Sequence, residues 1–316
     1  MMYVVLIAGM LLLVKGADYF VDGSASVAKI LKVPSLIIGL TIVALGTSLP
    51  EASVSITASI AGNNELALSN IIGSNIFNTL VVVGCSAMIA PFIMDRDIIK
   101  RDLIINLIVS VSLCLFIFDG ILGRMDGILL LIGLVTFMMV LIRSVMRYDV
   151  EEEIGESFSI SKSIILIVIG VVAIILGGNF VVNGASDIAR QWGMSETLIG
   201  LTIVSIGTSL PELVTSVVAA RKGESSLSLG NAIGSNILNV LFILGISGTL
   251  TPIAAISENI IDVAVLIGIA VFILILSRFN DKMTRTKAAI FIGLYAIYMI
   301  YHPVFCAFFK RKMSDI

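Results

Sequence analysis

The chain has 316 residues, 58% of them hydrophobic and 13% charged, with a mean hydropathy of +1.10 and a formal net charge of −2. Such a composition lies outside the range of soluble globular domains and leaves a polytopic membrane protein, in which so small a net charge says little about partners. No nucleic-acid partner is expected, and the sequence has no GxxxxGK[ST] loop that would hold a nucleotide.

Apolar stretches long enough to cross a hydrocarbon core of about 30 Å fall at 3–27, 37–60, 66–90, 103–118, 127–146, 163–186, 197–220, 227–251, 259–277 and 286–304. The expected fold is therefore all-α, with ten transmembrane helices. The first stretch starts at the initiator methionine, lacks a small-residue cleavage site and runs past Lys15 into Gly16, which reads as a retained helix rather than a signal peptide. With the N-terminus outside, inner loops hold fourteen Lys and Arg residues and outer loops five. The excess of positive charge on inner loops then sets the topology: both termini extracellular, in a multi-pass protein of the cell membrane. Cys85, Cys114 and Cys306 lie in or beside apolar segments without metal-ligand spacing and read as small core residues. His302, the only histidine, reads as an interfacial residue at the end of the last span.

The second span contains GLTIVALGTSLPE and the third SNIIGSNIFN; the seventh and eighth repeat them as GLTIVSIGTSLPE and GNAIGSNILN. Glu212 follows Glu51 by 161 residues, and the same offset carries Gly16 onto Gly177, Gly23 onto Gly184, Pro50 onto Pro211, Asn78 onto Asn239 and Pro91 onto Pro252. Between 39–84 and 200–245, 25 of 46 positions are identical, far more than shared hydrophobicity gives, so the chain is an internal duplication. Five spans per half is an odd number. The second half must then enter the membrane from the opposite side, giving inverted repeats over 1–146 and 163–316. The linker, 147–162, is acidic through Asp149, Glu151, Glu152, Glu153 and Glu156, and reads as a solvated cytoplasmic loop.

A carboxylate at membrane depth costs roughly 2.5–3.5 kcal/mol on insertion scales, so a chain that keeps two of them needs a use for their charge. Pro50 and Pro211 deprive the carbonyls of Gly46 and Gly207 of their helical partners. Freed carbonyls at this depth need protein, water or a bound cation. If the helix resumes, Thr47, Ser48 and Glu51 share a face, as do Thr208, Ser209 and Glu212. Asn70, Ser74 and Asn78 form a polar stripe at four-residue spacing, matched by Asn231, Ser235 and Asn239, and the two stripes are expected to face each other. Gly73 and Gly234 are expected to permit close helix approach. Such a donor set is all oxygen, which suits hard cations such as Ca²⁺ and Na⁺ rather than zinc or copper. Two ionised glutamates balance one Ca²⁺ or several monovalent ions, so the two kinds of ion compete for one cavity, and that competition is the basis of antiport. An intramembrane hydrolase using Ser48 or Glu51 is the reading from another class. Serine hydrolysis needs a general base in reach, and no intramembrane His or Lys accompanies the motifs. A paired-acid mechanism leaves the hydroxyl and amide stripes without a use.

GTSLPE followed by GSNIFN and GSNILN resembles the two alpha repeats of the calcium/cation antiporter superfamily, most closely its sodium/calcium exchanger branch of prokaryotic type, along essentially the whole chain. The resemblance implies Ca²⁺ held between Glu51 and Glu212, with the backbone oxygens of Thr47 and Thr208 completing its shell. It implies Na⁺ at the same glutamates with Ser48, Ser209, Ser74, Ser235 and the carbonyls of Ala44 and Ser205. It further implies alternating access, with the first and sixth helices sliding past the other eight; Gly16, Gly23, Gly177 and Gly184 on those helices fit either a smooth sliding surface or ordinary close packing. Ca²⁺ and Na⁺ are then the transported substrates, with no cofactor and no obligate protein partner beyond the lipid bilayer. Some relatives, potassium-dependent ones among them, have an aspartate where this chain has Asn239, so the amide argues against potassium cotransport. Exchange of H⁺ for Ca²⁺, or of other monovalent for divalent cations, is the alternative within transport. Asp18 and Asp22, mirrored by Asn179 and Asn183, are either entrance residues or interfacial ones.

Overall fold

Two long helices, Met2–Leu31 and Ile160–Gln191, pack together along most of their length. What brings them so close is a glycine every seventh residue: 9, 16 and 23 on one helix, 170, 177 and 184 on the other. A Cβ at Gly16 would lie 2.8 Å from the Ile174 amide nitrogen, and one at Gly177 would lie 2.6 Å from that of Leu13. The backbones therefore touch, as small residues allow between helices in lipid. Gly16, Gly23, Gly177 and Gly184 had two readings, a surface sliding past the remaining helices and ordinary close packing. They lie in the seam between these two helices, as close packing has it, and join them into one unit.

The computed structural model describes residues 2–94, 101–145, 157–194, 203, 205–279 and 281–313. The linker acids Asp149, Glu151, Glu152, Glu153 and Glu156 lie outside that set, as do the side chains of Ser205, His302 and Cys306. Among the described residues, six helices are long and apolar enough to cross a membrane. A bent pair, Ser35–Thr47 with Leu49–Ile60, makes a seventh. Helix Leu103–Phe116, at 14 residues, is shorter than the span expected there. At 1.5 Å per residue it reaches about 21 Å, less than the hydrocarbon thickness. Among the described residues the protein is all-helical apart from two short antiparallel ribbons, and its outward faces carry residues such as Val4, Leu11, Ile132, Val168 and Leu176, the lipid-facing side of a membrane protein.

Two helices form the centre, Asn64–Phe77 continuing through a π-helical turn at Asn78–Val82, and Ser225–Leu238 continuing through another at Asn239–Leu244. Around them one hydrophobic cluster joins Leu68, Ile71, Ile72 and Ile76 to Ile233, Ile237, Val240 and Leu244. Gly234 makes the approach its position suggested, since a Cβ there would lie 2.7 Å from Leu40 Cα. At Gly73 a Cβ would meet nothing within 4 Å among the described residues, and Leu201, the repeat counterpart of Leu40, lies outside them.

The ribbons expose the symmetry of the molecule. Phe92 and Ile93 pair with Met283 and Lys282; Leu122 and Ile121 pair with Ile253 and Ala254. Adding 161 to the first-half residues and subtracting it from the second-half ones turns one ribbon into the other. The ribbons sit at opposite ends of the Leu103–Phe116 and Ser257–Phe279 helices, which run between them.

Candidate ion-binding site

The helix breaks at Ser48, where two segments meet at 52°. Pro50 takes the first turn of the new helix, Leu49–Ile60, where no intrahelical amide bond is needed, and Glu51 joins it there. Pro211 and Glu212 occupy the same places in Leu210–Arg221 after Ser209. Each break thus directs a glutamate to the centre of the molecule, and both side chains are fully buried.

The bend also sorts the hydroxyls, differently from the expectation of one continuous face. Ser48 Oγ donates to Glu212 Oε1 at 2.9 Å, and Ser209 Oγ donates to Glu51 Oε1 at 3.1 Å. Each serine therefore serves the glutamate of the opposite half, because the break turns Ser48 and Ser209 off the helix that carries their own acid. Thr47 Oγ1, on the near side of the break, lies 3.0 Å from Asn231 Oδ1 and within bonding reach of the Val43 and Ala44 carbonyls. Thr208 Oγ1 lies 3.3 Å from Asn70 Oδ1. The backbone of Ser205 opens the short helix Ser205–Thr208, as Ala44 opens Ala44–Thr47.

The asparagine stripes make their hydrogen bonds across the halves and with their own glutamate helices. Asn70 Nδ2 donates to Ser55 Oγ at 3.0 Å, and its counterpart Asn231 donates to Ser216 Oγ at 2.9 Å. Ser74 Oγ lies 3.0 Å from Ser209 Oγ. Ser235 Oγ and both polar atoms of Asn78 are buried without a hydrogen-bond partner among the described residues, as are Oε2 of Glu51 and Oε2 of Glu212. Neither glutamate has an ion pair among the described residues. So each of the two buried carboxyl groups is met by a neutral hydroxyl of the other half and, among the described residues, by no cationic side chain.

Sequence reasoning passed over Asn75, Asn236, Thr79, Ser55 and Ser216. Asn75 Nδ2 donates to the Asn236 carbonyl at 3.1 Å, and Asn75 Oδ1 accepts from Asn239 Nδ2 at 3.0 Å. Across the axis Thr79 intervenes. Its hydroxyl donates to the Asn75 carbonyl at 2.7 Å and accepts from Asn236 Nδ2 at 2.7 Å. The signal was available, since Asn75, Asn236, Ser55 and Ser216 are identical across the repeat; the four-residue stripe drew attention away from them.

Beside the second break lies a cavity of about 340 Å³ lined by Pro50, Ser53, Gly178, Asn179, Thr208 and Pro211, among others. Val182, which also lines it, abuts Gly207, where a Cβ would fall on its Cγ2. The counterpart positions are filled: Ala17, Phe20 and Val21 pack with Val43 and Val218, and Leu210 and Val214 cover them. On that side Lys222 Nζ contacts Asp22 Oδ1 at 2.7 Å and Asp18 Oδ1 at 3.4 Å.

A family model described as sodium/calcium exchanger protein matches residues 1–143 and 162–302. The putative antiporter CaxA of Alkalimonas amylolytica is 39% identical over 254 residues, 78% of this chain and 80% of the relative. The sodium/calcium exchanger MaX1 of Methanosarcina acetivorans is 34% identical over 295 residues, 80% of this chain and 84% of its own. A solved structure of the sodium–calcium exchanger NCX_Mj superposes with a TM-score of 0.85 at 31% identity, covering 95% of this chain and 97% of that one. By the match to its model and by these relatives, the chain belongs to the sodium/calcium exchanger family.

Proposed function

We propose that the protein is a secondary-active antiporter that exchanges Ca²⁺ for Na⁺ by alternating access, both ions competing for a midplane site around Glu51 and Glu212. The observation that carries this reading is the reciprocal pair of bonds, Ser48 to Glu212 and Ser209 to Glu51, which holds the two carboxyl groups in one pocket. Two buried carboxylates with no cationic partner repel one another, and a divalent cation or several monovalent ones relieve that repulsion. The site draws on Thr47, Thr208, Ser48, Ser209, Ser74, Ser235, Asn78 and Asn239 and on the carbonyls of Ala44 and Ser205. Na⁺ and Ca²⁺ cannot occupy it together in full, and that exclusion couples their fluxes.

The proposed topology has ten spans in two inverted halves, 1–146 and 163–316, joined by a cytoplasmic linker, with both termini outside. The exchange of one ribbon for the other under the repeat offset supports it. So does the exchange of the Ser48 and Ser209 bonds. On this topology the cavity beside Asn179 opens outward, and the packed cluster around Phe20 closes the inner side. The paired helices Met2–Leu31 and Ile160–Gln191 move as one body between the two states. Uptake of radioactive Ca²⁺ into proteoliposomes, with sodium, potassium and proton gradients imposed one at a time, tests the proposal. Uptake that follows the sodium gradient supports it; uptake indifferent to every gradient refutes it.

A second reading, exchange of protons for Ca²⁺, is favoured by the unpartnered Oε2 atoms of the same two glutamates, which can carry protons as well as face a cation. Replacement of sodium by choline separates the two, because proton-driven uptake survives it.

A further inference from the structure

The polar layer departs from two-fold symmetry at one place. By the repeat offset, the bond from Asn239 Nδ2 to Asn75 Oδ1 should have a mate from Asn78 Nδ2 to Asn236 Oδ1. It does not: both of those atoms are buried without a partner among the described residues. The cause is the residue that follows the asparagine in each π turn. Thr79 in the first half has Val240 as its counterpart. The Thr79 hydroxyl inserts itself between Asn236 Nδ2 and the Asn75 carbonyl, so Asn236 reaches that carbonyl only through the hydroxyl, whereas Asn75 reaches the Asn236 carbonyl directly.

From this we infer that Asn75 is a positioning residue that fixes the amide of Asn239 with its oxygen toward the ion pocket, while Asn78 is left free to turn. The chain of donors admits no other assignment. A backbone carbonyl only accepts, so Asn75 must present Nδ2 to the Asn236 carbonyl and therefore Oδ1 to Asn239. Asn239 must then present Nδ2 to Asn75. Its Oδ1, buried and unpartnered, is the atom left over. The segment that begins at Asn239 packs against the helix carrying Glu51, and on the proposed function this oxygen is one of the neutral acceptors of the ion site. A fixed oxygen dipole attracts a cation, and a fixed NH₂ group would repel one. The pocket thus has one preset neutral acceptor, at Asn239, and one adaptable amide, at Asn78.

The inference rests on the cation-exchange reading and is tested by a double-mutant cycle of Asn75→Ala, Asn239→Ala and the pair. The readouts are Na⁺ and Ca²⁺ half-saturation in exchange and ion-dependent thermal stabilisation of purified protein. Asn75→Ala should raise the half-saturation of at least one of the two cations about three- to tenfold, the size of one net hydrogen bond. It should leave the maximal rate largely intact, and in the Asn239→Ala background it should do nothing further. Asn75→Leu, which keeps the side-chain volume, replaces alanine in the cycle if the alanine variant does not fold, with the same expected outcome. Equal effects of the Asn75 substitution in both backgrounds, or none in the native one, overturn the inference. Unmodified protein that exchanges neither cation overturns the proposed function, and this inference with it. Exchange intact with an additive cycle overturns the inference alone.

Discussion

Ser209 Oγ donates to Glu51 Oε1 at 3.1 Å across 158 positions of sequence, and its repeat counterpart Ser48 returns the bond to Glu212 at 2.9 Å. The two halves of the protein are thus tied at their acids, and each carboxyl group is oriented by the half that does not contain it. Glu51→Gln or Glu212→Gln keeps the shape of the pocket and removes one of its two charges. Either change should weaken Ca²⁺ binding on the order of 100-fold, as expected when one member of a buried charge set is lost. In ion-free buffer the same variants should melt no lower than the unmodified protein, since they relieve an uncompensated buried charge. Calcium titration and thermal unfolding of one preparation check both. Retained Ca²⁺ affinity in either variant removes the assignment.

The repeat, a break beside the proline and the candidacy of both acids were legible in the sequence, because an offset of 161 residues and a Pro-Glu pair in an apolar span are local signals. Which hydroxyl serves which acid was not. Helical spacing places Ser48 beside Glu51, but the 52° bend at Ser48 lies between them, and a bend angle depends on the packing of the opposite half. The partner of the glycine seam was hidden for a similar reason. Their seven-residue spacing marks a close helix contact, yet nothing in one helix says which neighbour makes it. The roles of Asn75 and Thr79 needed coordinates, since an amide's orientation is fixed by a chain of four residues drawn from both halves.

The seam of Met2–Leu31 with Ile160–Gln191 gives a prediction about folding rather than ion binding. At Gly177 an added Cβ would lie 2.6 Å from the Leu13 amide nitrogen and 2.9 Å from the Gly9 carbonyl oxygen, both backbone atoms that cannot step aside. Gly177→Leu should therefore force the helices apart at a cost of roughly 1–3 kcal/mol or more, the usual range for overpacking. Lower yield of monodisperse protein and a lower melting temperature are expected. Gly268→Leu, at a position where a Cβ meets nothing within 4 Å among the described residues, serves as the control and should behave like the unmodified protein.

Lys222 anchors one end of this helix pair through Asp18 and Asp22, and the counterpart positions, Ala61, Asn179 and Asn183, can form no such ion pair. The side chains are partly exposed, at 30% for Lys222 and 42% for Asp22, so the contribution is about 1 kcal/mol at most. On the proposed alternating-access mechanism, Lys222→Gln should shift the balance between the two access states by no more than about fivefold, toward opening beside Asp18. Accessibility of cysteines introduced at the two ends of the helix pair reports the shift. The exchanged pair, Lys222→Asp with Asp22→Lys, should restore much of it; an exchange that restores nothing would show that the contact has no part in the balance.

The last prediction concerns the contact between the helix pair and the second break. Gly207 stands where Val182 presses on the turn before Glu212, and a Cβ on the glycine would fall on Val182 Cγ2. Gly46 faces Phe20 and Val171 in the same way, a Cβ there lying 2.8 Å from Phe20 Cζ and 3.1 Å from Val171 Cγ2. On the proposed alternating-access mechanism, motion of the pair past these turns requires that nothing project from them. Gly207→Ala should slow exchange at saturating cation on the order of tenfold, since overpacking by one methyl group costs about 1 kcal/mol or more at a tight contact. Half-saturation should change less, because the carboxyl groups stay in place. Trimming the opposing side chain with Val182→Ala should recover most of the rate in the double variant. If it does not, the defect lies in the turn itself, and the glycine is there for the shape of the break rather than for the passage of the helix.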